Sequence, residues 1–153
     1  MSNRVIIYGP PASGKSTVLR SLASTKDCTV IDLEQVAGSA GFARQNRITL
    51  LQKLAALRFG GDLFIGAADI DPSDFPPGFR VVALLHTDKA QYLARVDQRN
   101  RIPPGKAWQD EDRLFDLFTQ VVGKNPHWIH IDPARFEDRH ELLVQHLFER
   151  LNG

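Results

Sequence analysis

The sequence predicts an α/β protein of three layers, α/β/α, in which helices cover both faces of a five-stranded parallel sheet. Three observations lead there. Short apolar runs alternate with stretches of helical periodicity from one end of the chain to the other. The first run, Arg4 to Tyr8, passes through a glycine-bearing loop directly into a helical pattern. No internal repeat or low-complexity linker interrupts the alternation, and 153 residues suit one domain spanning 1–153.

The elements follow in order. Strand one covers about 4–9, and helix one about 15–25, with Val18, Leu19, Leu22 and Ala23 at helical spacing. Cys28 to Leu33 reads as strand two, followed by a turn with Gly38 and Gly41. Ala43 to Arg58 is a helix with apolar Ile48, Leu50, Leu51, Leu54, Ala55 and Leu57, stopped by Gly60-Gly61. Strand three runs from Asp62 to Ala68, a loop rich in Asp and Pro from Asp69 to Gly78, and strand four from Arg80 to His86. Asp88 is a suitable N-cap for a helix reaching Asn100, which Ile102-Pro-Pro-Gly105 breaks. Trp108 to Val122 is a further helix, with Asp110, Glu111 and Asp112 in its first turns and Gly123-Lys124 at its end, as the helix dipole prefers. His127 to Asp132 is strand five, and Asp138 to Leu151 closes the chain as a helix. Val121, Val122, Leu142 and Leu143 are expected in the core, and Trp108 and Trp128 in packing roles.

Bulk properties narrow the possibilities. The formal net charge of +1 excludes a polycation. No apolar run is long enough to cross a bilayer, and the start does not read as a signal peptide. The single cysteine, Cys28, excludes an internal disulfide, fits a reducing cytoplasm and is expected to pack as a small apolar residue. His86, His127, His130, His140 and His146 have no metal-site spacing with Cys28, so no structural zinc is expected.

The most specific signal is Gly9-Pro-Pro-Ala-Ser-Gly-Lys-Ser16, a match to G-x-x-x-x-G-K-[ST] between a strand and a helix. Glycines allow the backbone to curl around phosphates, and the amides near Ser13, Gly14, Lys15 and Ser16 are expected to face the anion. Gly9, Ala12, Ser13, Gly14, Lys15, Ser16 and Thr17 form the expected nucleotide-binding segment, with Lys15 on the β- and γ-phosphates and Ser16 on Mg²⁺.

Ligands of parallel sheets bind beyond the carboxyl ends of the strands, which selects the loops after Tyr8, Leu33, Ala68 and His86. Asp32 closes strand two, and Glu34 stands two residues on, so both carboxylates share a face. Asp32 is the candidate that orients an acceptor hydroxyl and takes its proton, with Glu34 binding the acceptor or a metal-bound water. Asp69, after strand three, competes for the role of base, suits a metal-organising or substrate-binding carboxylate, and reads equally as a turn initiator before Asp71, Pro72, Ser73 and Asp74.

The helix from Ala43 to Arg58 carries Arg44, Arg47, Lys53 and Arg58 with no acid between Phe42 and Gly61. Arg44 and Arg47 lie on the side of Leu51 and Ala55 and at the helix N-terminus, where cations are disfavoured. An anion on the acceptor accounts for them, and so does snorkelling of long side chains. Arg95, Arg99, Arg101 and Lys106 form a second basic cluster. Arg95 and Arg99 repel on a bare helix, and a polyphosphate between them relieves that conflict. Pro103-Pro-Gly105 would carry Arg101 on a short Arg-rich flap around 99–107.

With these motifs in place, the whole chain resembles the small P-loop kinases: shikimate, gluconate and adenylate kinases, and the kinase domain of polynucleotide kinases. Asp32-x-Glu34 is similar to the substrate-side Asp-x-Asp of shikimate kinase, and Arg95, Arg99 and Arg101 to that group's lid arginines. Gly66-Ala-Ala-Asp69 stands where shikimate kinases carry Gly-Gly-Gly. The resemblance implies an ATP- and Mg²⁺-dependent transfer of phosphate to an alcohol, by a monomer or homodimer. Arg99 and Arg101 would join Asp32 and Lys15 as catalytic groups, with Arg95 on the nucleotide. A viral-type kinase of 5-hydroxymethyluridine in DNA belongs to the same broad group. The acid-free basic helix suits a nucleotide or DNA acceptor, whose base would leave the stack to reach Asp32. A small-metabolite kinase and a non-kinase ATPase or nucleotide switch are the alternatives.

Overall fold

In the computed structural model, which describes residues 3–10, 13–25, 27–33, 44–67, 70–100, 108–136 and 139–153, the apolar runs pair as one parallel sheet. Side chains at 44–46, 97–100 and 108–111 lie outside the described part. The elements are β1 (Arg4–Tyr8), α1 (Lys15–Ala23), β2 (Cys28–Asp32), α2 (Arg44–Ala56), β3 (Asp62–Ala67), β4 (Arg80–Leu84), α3 (Lys89–Asn100), α4 (Trp108–Gly123), β5 (Ile129–Ile131) and α5 (His140–Asn152). The strand order is β2-β3-β1-β4-β5, with every pairing parallel.

β1 lies at the centre and pairs with β3 on one side (Arg4 with Leu63 through Tyr8 with Ala67) and β4 on the other (Val5 with Arg80 through Tyr8 with Ala83). Its side chains alternate between two cores. Val5 and Ile7 join Val18, Leu19 and Leu22 of α1 and Leu143, Leu147 and Leu151 of α5. Ile6 and Tyr8 join Leu51 and Leu54 of α2, Tyr92 and Val96 of α3, and Phe115 and Phe118 of α4. Tyr8 also meets Phe75 and Trp128, with ring centroids 5.8 and 5.6 Å away. Trp128 is therefore a packing residue, as expected, while the side chain of Trp108 is outside the described part. Half-buried Cys28 packs on the α1 face. Burial, then the charges of Asp62 and Asp27, push its thiol pKa up, which suits an inert packing role.

Every expected strand and helix is present, with shifted ends. β4 stops at Leu84, so His86 belongs to the following loop, and β5 begins at Ile129 because a turn closes Trp128 N onto Asn125 O at 3.0 Å. Asp88 caps α3 as expected, accepting from Ala90 N at 2.8 Å. Lys89 pairs with Asp112 and with Asp116 at 3.0 Å, joining α3 to α4.

One core expectation and one helix end are corrected. Leu142 is 39% exposed whereas Leu143 is 3% exposed, because the stripe Leu143, Leu147, Leu151 turns its neighbour about 100° away. Leu57 is 54% exposed: α2 ends at Ala56, and the Leu57 carbonyl accepts from Arg4 Nη2 at 2.6 Å.

The amino edge of the sheet is braced by close backbone contact. Asp27 has φ 63, and its carbonyl accepts from Asp62 N at 2.9 Å. A Cβ on Gly61 would lie 1.9 Å from that same carbonyl oxygen. Gly61→Ala is expected to lower stability by about 1–3 kcal/mol, read as an earlier urea midpoint with unchanged slope. An unaltered midpoint would contradict the close approach.

Candidate functional site

The site is built where β1 ends. A Cβ on Gly9 would lie 2.5 Å from the Leu84 carbonyl oxygen and 2.9 Å from Ser13 Oγ, so only glycine lets the chain leave the sheet this tightly. Gly14 then adopts φ 87 and serves as N-cap of α1 with no side-chain cap. The first amides of a helix have no partner within the helix, so those of Lys15, Ser16 and Thr17 stand at the positive end of α1 without a capping oxygen from residue 14. Ser13 is fully buried, and its hydroxyl has no hydrogen-bond partner. Lys15 is buried at 7% exposure, while Ser16 and Thr17 are half-buried. Ala12 lies outside the described residues.

Arg95 reaches this loop from α3. Its Nη2 lies 3.7 Å from where a Cβ on Gly14 would stand. A cation beside the uncapped end of α1 is an arrangement that a bound anion would stabilise.

Asp32 ends β2 beside Gly66 of β3, its register partner. A Cβ on Gly66 would meet Leu19 Cδ1 at 2.4 Å and Asp32 Oδ1 at 3.4 Å. Asp32 therefore projects to the α1 face of the sheet, in space that the missing side chain leaves open. The structure thus brings Gly9, Ser13, Gly14, Lys15, Ser16, Thr17 and Arg95 together, with Asp32 at the same carboxyl edge of the sheet. Arg47 is half-buried on α2, whose N-terminus follows the connection from the carboxyl end of β2. Arg44 and Arg99 have only their backbones described, and Glu34, Asp69 and Arg101 lie outside the described residues. Among the described residues no cluster of three His, Cys, Asp or Glu forms a metal site.

Sequence reading gave no role to His86. It is 2% exposed, packs against Tyr92 with ring centroids 5.8 Å apart, and its Nδ1 has no hydrogen-bond partner. Burial pushes its pKa down, the Asp132 charge pulls it back up, and Arg95 pushes it down again. Asp132 itself accepts from the Thr87 hydroxyl at 2.7 Å and from Ala134 N at 3.0 Å, tying the loops after β4 and β5. Burial would raise its pKa, but these hydrogen bonds and the neighbouring His86 hold it below the ordinary carboxylate value. The signal in the sequence was a histidine straight after an apolar strand, at the edge where ligands bind.

An all-parallel β2-β3-β1-β4-β5 sheet with a Gly-x-x-x-x-Gly-Lys-Ser loop between its central strand and first helix is the fold of the small P-loop kinases. Solved structures with this fold include shikimate kinase from Aquifex aeolicus vf5, at TM-score 0.72 and 19% identity, covering 98% of this chain and 96% of that one. The tunicamycin resistance protein of Deinococcus radiodurans superposes at TM-score 0.70 and 19% identity, covering 99% and 96%. Deoxyadenosine kinase from M. mycoides, with bound dATP, superposes at 0.67 and 11% identity, covering 99% and 100%. No protein-family model and no curated protein matches the sequence. Among the described residues no helix is long and apolar enough to cross a membrane.

The buried imidazole gives stability a pH dependence. Below the ordinary histidine value of 6.5 the unfolded chain protonates residue 86 while the folded chain resists, so stability falls as pH drops. Asp132 adds a further loss as pH falls past the ordinary carboxyl value of 3.8 towards its lower folded value. The urea midpoint is expected to decline between about pH 7 and about pH 5, and His86→Gln to flatten that decline. Parallel profiles for the two proteins would contradict it.

Proposed function

We propose that this chain is an ATP- and Mg²⁺-dependent phosphotransferase whose acceptor is an alcohol. The observation that carries the reading is the Arg95 guanidinium over Gly14, at the uncapped start of α1, beside buried Lys15. Glycine-only geometry at Gly9, the left-handed Gly14 and the unpartnered Ser13 hydroxyl fit a polyphosphate, so the donor set suits the ligand.

In this reading the amides of Gly14 to Thr17 hold the phosphates, and Lys15 offsets charge on their β and γ groups. Ser16 offers its hydroxyl to Mg²⁺, with Asp69 as a further carboxylate for the metal or the acceptor. The metal supplies charge neutralisation on the phosphate oxygens. Arg95, with Arg99 and Arg101, stabilises charge on the transferred group. Asp32 orients the acceptor hydroxyl and takes its proton as the new O–P bond forms and the bond from the γ-phosphorus to the bridging oxygen breaks, leaving ADP.

Glu34, Arg44 and Arg47 bind the acceptor. We read that acceptor as a nucleoside or nucleotide hydroxyl, including a hydroxymethylated pyrimidine in DNA, because α2 and its flanks present Arg44, Arg47, Lys53 and Arg58 without an acid. A shikimate- or gluconate-like acceptor is the second reading. Shikimate kinases and a gluconokinase are among the structures that share the fold, and a carboxylated metabolite also pairs with arginine.

The direct test offers γ-labelled ATP with nucleosides, hydroxymethylated DNA and small hydroxy acids, and follows label into product. Acceptor-dependent labelling is expected, whereas hydrolysis indifferent to every acceptor would favour a nucleotide switch. Asp32→Asn is expected to lower kcat by about 10²-fold or more with nucleotide affinity retained, and rapid transfer by that variant would remove Asp32 as base. Lys15→Ala is expected to lose transfer activity altogether, and full activity would overturn the loop assignment.

A further inference from the structure

We propose that His86 takes up a proton when a polyphosphate occupies the loop 9–16, so that affinity for that ligand rises as the solution becomes more acidic. This rests on the nucleotide-binding reading above and adds a proton to it.

His86 stands two residues beyond β4, at the carboxyl edge of the sheet, next to the strand that feeds the loop. The ring is 2% exposed and its Nδ1 has no partner. Nearby polar groups are already engaged: the Thr87 hydroxyl donates to Asp132, and His130 Nε2 is held by the Leu85 carbonyl at 2.8 Å. Tyr92 of α3 packs against the ring. Among the described residues two charges act on it, Asp132 from the loop after β5 and Arg95 from α3.

These two charges oppose each other, and only one of them belongs to the phosphate site. Arg95 reaches within 3.7 Å of the Cβ position of Gly14, so a bound polyphosphate neutralises it and brings further negative charge to the same edge. Asp132 stays in place, clasped by Thr87 and Ala134. With Arg95 offset, its attraction for an imidazolium is opposed by burial but no longer by a neighbouring cation. The proton comes from solvent, and the free Nδ1 is a nitrogen able to carry it. A group whose pKa is higher in the complex than in the free protein tightens binding as pH falls through the interval between the two values.

The experiment is calorimetry of the full chain with MgADP, in buffers of different ionisation enthalpy, from about pH 7.5 to about pH 5.5. Protonation of the nucleotide itself is common to wild type and His86→Gln and cancels in their difference. Wild type is expected to take up more protons than the variant, by a fraction of one per site. Its Kd for ADP should fall about three- to tenfold further over that range, a tenfold excess corresponding to one pKa unit. Equal proton uptake and parallel profiles would overturn the inference while leaving the nucleotide site standing. Failure of wild type to bind ADP would overturn the loop reading and this inference with it. Nuclear magnetic resonance of the wild-type imidazoles provides a readout that needs no variant. The His86 ring signal, identified by sequential assignment, must titrate at higher pH with ADP, and an unmoved midpoint would also overturn the proposal.

Discussion

The arrangement depends on β1 being held on both sides and covered on both faces. A parallel strand in that position has its polar backbone satisfied only by two parallel neighbours, and its side chains only by two apolar layers. β3 and β4 supply the first, α1 with α5 and α2 to α4 the second. Once β1 is fixed, its carboxyl end has one way out, over the Leu84 carbonyl, and the glycine at position 9 is the residue that can take it. The direction of α1, and so the place where its positive end points, follows from that exit.

The same constraint collects the charged groups. Parallel strands all finish on one edge, so Asp32 at the end of β2, Arg95 of α3, and His86 and Asp132 in the loops after β4 and β5 come from distant parts of the chain to the same side of the sheet. Glycines 9 and 66 keep that edge open in different ways. At 9 the backbone itself approaches its neighbour, whereas at 66 the absent side chain leaves room for Leu19 and the Asp32 carboxylate.

Much of this was readable from residues alone, for identifiable reasons. The strand, glycine loop and helix at the start of the chain are a local pattern, and local patterns survive in a sequence. The place of Asp32 at the end of β2 was legible because a carboxylate closes an apolar run there. The order β2-β3-β1-β4-β5 was not legible, since five similar apolar runs do not state their neighbours. His86 was missed for a related reason: its burial depends on Tyr92 in the next helix, and its electrostatics on Asp132, whose hydrogen bond to Thr87 spans 45 positions. Leu142 was misplaced because a pair of adjacent leucines does not reveal which one lies on the stripe. The arginines of α2 and of the 99–107 region remain expectations of charge pattern.

The amino edge of the sheet carries its own lesson. Asn3 Nδ2 donates to Asn152 Oδ1 at 3.5 Å, and Arg80 Nη1 donates to the Leu151 carbonyl, so the starts of β1 and β4 are laced to the end of α5. They meet on the side of the sheet away from the phosphate loop. A change at Asn152 or Arg80 would therefore be felt at the root of the central strand and not at the bound ligand, which would separate what anchors the scaffold from what recognises its guest.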